Sequence, residues 1–104
     1  MNDGPWSVRQ LDAADAYIHS LTPEEQIKIA SRVTLLLQGE HSEVRTKQLR
    51  GPIRELIVGH HRVTYFRFER TLYLIRGFRK KTQKTPQNEI EFAERIYKRL
   101  SNNK

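Results

Sequence analysis

The sequence predicts an α+β fold, in which a small antiparallel sheet carries an N-terminal αα-hairpin on one face and a C-terminal helix on the other. Apolar residues recur at helical spacing in the first forty residues and again near the C-terminus. Between these regions lie three short segments rich in β-branched and aromatic residues, joined by brief connections. The length suits one domain, so a single domain over residues 1–104 is expected, in the order β-α-α-β-β-β-α.

The N-terminal half predicts a short strand over residues 5–10 and a first helix over residues 11–20. A second helix is expected to follow Thr22, because a threonine can cap a helix, Pro23 suits the first helical position, and Glu25 completes a capping box. The two helices should form a hairpin. The expected apolar face of the second helix consists of Ile27, Ala30, Val33, Leu36 and Leu37.

The second half predicts the sheet and the last helix. Residues 40–50 are polar and are expected to form a connecting loop. The three predicted strands of the antiparallel meander are 53–58, 62–69 and 71–78. Both alternating faces of the middle strand carry apolar residues, so the sheet should be covered on both sides. The last helix is expected to begin at Thr85-Pro86, with the threonine as its cap.

Charge is distributed unevenly along the chain. Residues 1–44 contain three basic and seven acidic side chains, a net charge of −4, and residues 45–104 contain sixteen basic and five acidic ones, a net charge of +11. This asymmetry, together with the aromatic residues, favours RNA as a polyanionic partner. A solvated basic surface, or a surface matched to an acidic protein, is the alternative interpretation.

Other classes of protein are disfavoured by what the sequence lacks. There is no cysteine, so disulfides and thiolate metal sites are excluded. The N-terminus lacks a basic segment followed by an apolar run, and no stretch approaches the ~20 apolar residues of a membrane span. We therefore expect a soluble cytoplasmic protein without a membrane partner.

Arginines and lysines concentrate on the predicted sheet and directly after its last strand. An arginine on a rigid strand suits phosphate, because its planar fork donates two hydrogen bonds and stays charged. A basic run over residues 79–84 leaves the last strand and leads into the last helix. Arg67 and Arg70 are interpreted as solvent-facing. The arginines on or beside the sheet are Arg54, Arg62, Arg67, Arg76 and Arg79.

The available side chains suit one reaction in particular. The sequence has no glycine-rich phosphate loop, HExxH motif or nucleophile elbow, and the adjacent pair His60-His61 is a poor metal site because strand neighbours point to opposite faces. An RNA 2′-hydroxyl can attack its own backbone, and a cationic pocket stabilises the phosphorane that forms. Such an enzyme needs proton-transfer groups and no cofactor. The candidates for proton transfer are Lys81, His60, His61 and Tyr65.

Residues 49–100 resemble the C-terminal half of HigB-type toxins, which belong to the RelE/ParE superfamily of type II toxin–antitoxin modules. The matching segments are LRGPIREL at 49–56, RVTYF at 62–66 and GFRKKTQKTP at 77–86. The last segment is far more specific than a lone glycine motif. The N-terminal half matches only in its strand-helix-helix layout.

The resemblance implies an α+β fold of the RelE-like type and a ribosome-dependent activity. Relatives of this kind cleave mRNA in the ribosomal A site and are neutralised by a cognate antitoxin, for which we expect the helix-turn-helix type. Arg62 and Arg79 match active-site positions among relatives. Many relatives also carry an arginine where this chain has Ile57, so Arg54 or His60 would have to compensate.

The favoured hypothesis is therefore an mRNA endoribonuclease. Arg62 and Arg79 would bind the scissile phosphate, and Lys81 or His60 would move protons. The basic residues expected to hold the RNA are Lys47, Arg50, Arg54, Lys80 and Lys84. Two alternatives stay open: a ParE-like inhibitor of gyrase with the same fold, and a non-catalytic RNA-binding module.

Overall fold

The computed structural model describes residues 7–102, so residues 5 and 6 of the predicted first strand lie outside the described part of the chain. A five-stranded sheet has one helical layer on each face. The elements in chain order are β1 (Ser7–Gln10), α1 (Asp12–His19), α2 (Pro23–Leu37), a 3-10 turn (His41–Glu43), β2 (Arg45–Arg50), β3 (Ile53–Val58), β4 (His61–Phe68), β5 (Thr71–Arg79) and α3 (Gln87–Asn102).

The strands lie in the order β1-β5-β4-β3-β2. Strands β3 to β5 form the predicted antiparallel meander, which β2 extends by pairing antiparallel with β3, and β1 joins the other edge by pairing in parallel with β5. Ser7 lies opposite Thr71 in that pair. The ladder between β4 and β5 shifts register between Thr64 and Tyr65. The α+β fold class predicted from the sequence is confirmed.

The predicted loop over residues 40–50 is wrong for its second part, because residues 45–50 form strand β2. This strand pairs antiparallel with β3, and the tight connection between them contains Gly51 at a φ of 53°. As an edge strand, β2 exposes most of its side chains and carries charged residues, as edge strands commonly do. The polar composition of residues 45–50 therefore led to the wrong prediction of a loop.

Helix α2 begins as the sequence predicts. The Thr22 hydroxyl accepts a hydrogen bond from the backbone N–H of Glu25, and the Glu25 carboxylate accepts one from the backbone N–H of Thr22. Its predicted apolar face is wrong at Ile27, whose surface is 68% exposed, and at Ala30, which is also exposed. The buried stripe is Ile29, Val33 and Leu36. These residues follow the helical repeat, which leaves Ile27 on the opposite side of the helix.

Two cores cover the two faces of the sheet, as predicted. The first lies under the αα-hairpin and includes Ala14, Ile29 and Leu56. The second lies under α3, where Phe66, Ile75 and Ala93 are buried together. The residues of β3 and β4 alternate between these cores, so Glu55, Ile57 and Arg62 share the face of α3.

Helix α3 begins at Gln87, one residue after the predicted first position. The Thr85 hydroxyl donates a hydrogen bond to Glu55 Oε1 at 2.7 Å, and the carbonyl of Pro86 accepts from the first turn of the helix. Tyr97 packs edge-on against Phe66 and Phe68, at ring distances of 5.0 and 6.0 Å. Tyr97 therefore packs against the core under α3, and the hydrogen bond from Thr85 to Glu55 ties the start of the helix to β3.

Candidate functional site

A cavity of about 740 Å³ opens at the end of β5, between the 80–86 segment, the start of α3 and strands β2 to β4. It is large enough for a small ligand or a nucleotide of a longer polymer. Its lining is dominated by basic side chains, which come from three strands and the segment after β5. The basic residues are Arg45, Lys47, Arg62, Arg76, Arg79, Lys80, Lys81 and Lys84.

The structure brings six of the nine predicted site residues to this cavity. Four of the six follow one another closely, from the end of β5 into the 80–86 segment, and the other two lie on β2 and β4. The six residues are Lys47, Arg62, Arg79, Lys80, Lys81 and Lys84. Residues more than thirty positions apart in the sequence are thereby placed around one space, as expected for a site that grips a polyanion.

The other three predicted residues do not line the cavity. Arg50 forms an ion pair with Glu94 on α3, with Nη1 at 2.9 Å from Oε1. Arg54 shares the opposite face of the sheet with Leu56 and donates to Thr46 Oγ1 at 3.0 Å. His60 is exposed in the turn between β3 and β4, where its carbonyl accepts from the backbone N–H of Lys80 at 2.8 Å. Neither Arg54 nor His60 therefore lines the cavity, where one of them was expected to compensate for the arginine missing at position 57.

Arg45 supplies a cation beside Ile57, the position at which the sequence lacks an expected basic group. The two residues are paired in register across β2 and β3, and both line the cavity. Sequence reasoning missed Arg45 because it assigned this segment to a loop. The signal that could have found it is a two-residue Gly51-Pro52 connection, which is short enough to join two antiparallel strands.

Arg62 is held rigidly at the cavity wall. It is only 8% exposed, and its Nη1 donates to the carbonyl of Gly59 at 2.8 Å and to that of His61 at 3.0 Å. Its Nε lies 4.0 Å from Glu55 Oε2. Because the backbone of the β3–β4 turn fixes the guanidinium, Arg62 is preorganised rather than free to swing.

Two buried carboxylates lie among the cavity's cations, and the sequence did not single them out. Glu55 is 4% exposed and is bound by Thr85, while Glu89 is 8% exposed and lies with Oε1 at 3.4 Å from Arg76 Nε. Within residues 7–102, Glu89 Oε1 is a buried oxygen without a hydrogen bond. These acids offset part of the positive charge and orient Arg62 and Arg76.

Tyr17 of α1 also lines the cavity. Its hydroxyl lies 2.7 Å from His61 Nδ1, and His61 Nε2 lies 2.8 Å from Glu25 Oε2. His61 is buried and faces Arg79 in the β4–β5 register. Tyr65, another candidate for proton transfer, is buried in the core under the αα-hairpin and does not line the cavity. Of the two histidines, His61 is therefore the one connected to the cavity.

Hydrogen bonding and burial set the protonation states of Glu25 and Tyr17. The backbone N–H of Thr22 donates to Glu25 and, with the imidazole of His61, lowers the pKa of that carboxyl from 4.5 to about 2. Burial raises the pKa of the Tyr17 phenol above its ordinary value, an effect that the nearby Arg79 opposes and Glu25 reinforces. At neutral pH Glu25 is therefore a carboxylate and Tyr17 a neutral phenol.

The described residues contain neither a metal-binding cluster nor a membrane-spanning helix. From residue 7 to residue 102 there is no group of three or more His, Cys, Asp or Glu side chains that could hold a metal ion. Within the same range, none of the helices has the length and apolar character needed to cross a membrane.

The five-stranded sheet, its helices on both faces and its basic cavity define a small α+β domain with a cationic site. Residues 16–98 match the family described as "Phage derived protein Gp49-like (DUF891)", and the chain belongs to this family. The fold is similar to that of a chain in the toxin–antitoxin complex RelBE2 from Mycobacterium tuberculosis. That match has 19% identity and a TM-score of 0.60, over 76% of this chain and 95% of the other. No curated protein matches the sequence.

Proposed function

We propose that this protein is the toxin of a type II toxin–antitoxin pair and an endoribonuclease that cleaves mRNA on the ribosome. The observation that carries the proposal is the cavity itself, where eight basic side chains surround a space of about 740 Å³ on a RelE-like fold. The GFRKKTQKTP segment at 77–86 supports the HigB type within this class. Action in the cytoplasm follows from the proposed substrate.

The proposed reaction is attack by the RNA 2′-hydroxyl on the adjacent phosphate. Arg62, fixed by two carbonyls, and Arg79 bind the nonbridging phosphate oxygens and stabilise the extra negative charge of the phosphorane. Lys81 protonates the departing 5′-oxygen. Lys47, Lys80 and Lys84 hold the flanking RNA backbone. Arg45 joins this group because it lines the same cavity.

The test uses purified protein, ribosomes and a defined message. Wild-type protein should cut the message and leave a 2′,3′-cyclic phosphate, whereas Arg62→Ala and Arg79→Ala should lose about 100-fold or more in rate, as for the loss of a group that stabilises developing charge. Arg67→Ala is the matched control, because Arg67 is an exposed arginine of the same strand β4 that does not line the cavity. Equal rates for all four proteins would refute the proposal.

The same preparations separate the alternative functions. Inhibition of gyrase supercoiling without RNA cleavage would identify a ParE-like inhibitor. Binding of RNA without a cyclic phosphate product would identify a non-catalytic module. Salt dependence alone cannot separate these outcomes, since every reading that involves phosphate contacts predicts it.

A cognate antitoxin is the proposed protein partner. The similar fold was solved in a toxin–antitoxin complex, and a basic cavity suits an acidic segment that covers it. We propose an antitoxin of the helix-turn-helix type. Co-expression with the product of the adjacent reading frame should yield a stable complex that no longer cleaves RNA, and an unbound product would count against this partner.

A further inference from the structure

A continuous chain of hydrogen bonds runs from helix α2, through strand β4, to helix α1 at the cavity wall. Glu25 Oε2 lies 2.8 Å from His61 Nε2, and His61 Nδ1 lies 2.7 Å from the Tyr17 hydroxyl. The centroids of the Tyr17 and His61 rings are 5.7 Å apart, and their planes meet at 70° in an edge-on arrangement. Two consecutive helices and a strand that is distant in sequence thus supply one chain.

The direction of these hydrogen bonds follows from the ionisation of Glu25. Its carboxyl has a pKa of about 2, so at neutral pH it can only accept. His61 must therefore donate from Nε2, which in a neutral imidazole leaves Nδ1 as the acceptor. The Tyr17 hydroxyl then donates to Nδ1. A carboxylate that orients an imidazole, which in turn accepts from a hydroxyl, is the arrangement that activates hydroxyl groups in other enzymes.

Tyr17 is the one member of the chain that lines the cavity. Its ring lies over Gly77, beside the end of β5 where Arg79 enters the site. Glu25 and His61 are not among the residues that line the cavity. The hydroxyl therefore stands between a proton acceptor on one side and the proposed position of the RNA on the other.

We propose that the Tyr17 hydroxyl is a catalytic group that relays a proton from the RNA 2′-hydroxyl to His61, a role that rests on the proposed function. The 2′-oxygen bonds to phosphorus and gives its proton to Tyr17 Oη, while the original Tyr17 proton moves to His61 Nδ1. The bond from phosphorus to the 5′-oxygen breaks, and that oxygen takes a proton from the Lys81 ammonium. The products are a cyclic phosphate, a 5′-hydroxyl, an imidazolium and a neutral lysine, which exchange protons with water.

Glu25 has a defined part in this relay. It fixes the tautomer of His61 and stabilises the imidazolium that forms, so it is a positioning residue rather than a catalytic one. Arg79 lies across the register from His61 and near Tyr17. Its charge favours the transient phenolate character of Tyr17 during proton transfer, in addition to its contact with phosphate.

The first test compares Tyr17→Phe with Tyr97→Phe. Both remove one hydroxyl, but Tyr97 packs in the core under α3, outside the cavity. At saturating ribosomes, Tyr17→Phe should lose between about 100-fold and 10,000-fold in kcat with KM unchanged, as for the removal of a general acid–base group. Tyr97→Phe should keep the wild-type kcat. Circular dichroism melts confirm that both variants are folded.

The outcomes separate this inference from the proposed function. If wild type and Tyr97→Phe do not cleave, the proposed function fails and the relay fails with it. If wild type cleaves and Tyr17→Phe has the same kcat, the proposed function survives and the relay is refuted. A rise in KM at constant kcat would also refute it, because that pattern indicates a contact made equally in ground and transition states.

A second variant, Glu25→Gln, tests the direction of the relay. Glutamine can keep the capping bond to the N–H of Thr22 with its carbonyl oxygen, but its amide then presents donors to His61 Nε2. His61 would switch tautomer and donate from Nδ1, so it could no longer accept the Tyr17 proton. We expect kcat to fall about 100-fold or more while ribosome binding is retained. A kcat equal to that of wild type would overturn the relay.

Discussion

The ring of Tyr17 occupies the space that a side chain at Gly77 would need. A Cβ built at Gly77 would lie 2.8 Å from Cγ of that ring and closer still to Cδ2, which is below the separation that packed carbon atoms adopt. Contact with α1 therefore explains why position 77 is a glycine. Its function is to let α1 approach β5 closely enough for Tyr17 to reach the cavity.

Gly77→Ala should consequently destabilise the protein by about 1–3 kcal/mol, the usual cost of overpacking. It should also displace Tyr17 and reduce cleavage. In a Tyr17→Ala background, the same substitution should cost much less, because the ring that the methyl group meets is gone. Urea unfolding of the four proteins measures this coupling, and equal costs in both backgrounds would contradict the contact.

The Glu25 carboxylate, which takes part in the capping box of α2, should make the free energy of unfolding depend on pH in acidic solution. The pKa of Glu25 is lowered to about 2 in the folded protein, so the unfolded state binds more protons between that pH and its own pKa of 4.5. Stability from this group is fully present above about pH 4.5 and is lost as the pH falls towards 2. The difference in urea midpoint between wild type and Glu25→Gln should therefore shrink across this window. A difference that stays constant down to pH 2 would be the contrary result.

Lysines of the 80–86 segment should contribute to the salt dependence of RNA binding. For single-stranded RNA, each phosphate contact contributes about 0.7 to the slope of log K against log salt. Lys80→Gln and Lys84→Gln should each reduce the slope by about this amount, and Arg67→Gln should leave it unchanged. A 2′-O-methyl RNA oligonucleotide, which cannot be cleaved through its 2′-oxygen, serves as the ligand. If Arg67→Gln reduced the slope to the same extent, the RNA contacts would be spread over the surface and not concentrated at the cavity.

The two isoleucines of α2 should respond very differently to substitution. Ile29 is 1% exposed within the core under the αα-hairpin, whereas Ile27 is 68% exposed. Ile29→Ala should lower the free energy of unfolding by about 2–5 kcal/mol. Ile27→Gln should change it by less than about 0.5 kcal/mol, as for surface positions in general. Chemical denaturation measures both changes in the free energy of unfolding. Similar values would mean that α2 turns a different face towards the sheet.

Local patterns in the sequence were sufficient to predict the helices and the meander. The capping box of Thr22 and Glu25 was confirmed in every hydrogen bond, because its partners are three residues apart. Strand β2 was not predicted, since its polar edge composition is also that of a loop. Ile27 was misplaced because an apolar residue near the start of a helix carries no information about which face meets the sheet.

The candidate site was predictable only in part, and for a physical reason. The cations of the 79–84 run are adjacent in sequence, so their clustering was visible directly. Arg45, Glu89 and Tyr17 reach the cavity through strand pairing and helix packing, which a single sequence does not reveal. His60 is exposed in the turn and His61 is buried at the start of β4, and the partners of His61 lie 36 and 44 residues away.

The parallel pairing of β1 with β5 has a consequence for the order of events during synthesis. Ser7 finds its partner only at Thr71, so the first strand cannot dock until residue 71 has been made. Contacts of such long sequence separation form late, because a long loop must be closed before they are gained. The arginines and lysines around the cavity lie between residues 45 and 84, and the helix that closes it follows them. A nascent chain therefore carries its charges in an unassembled state until the helix that follows them has been made.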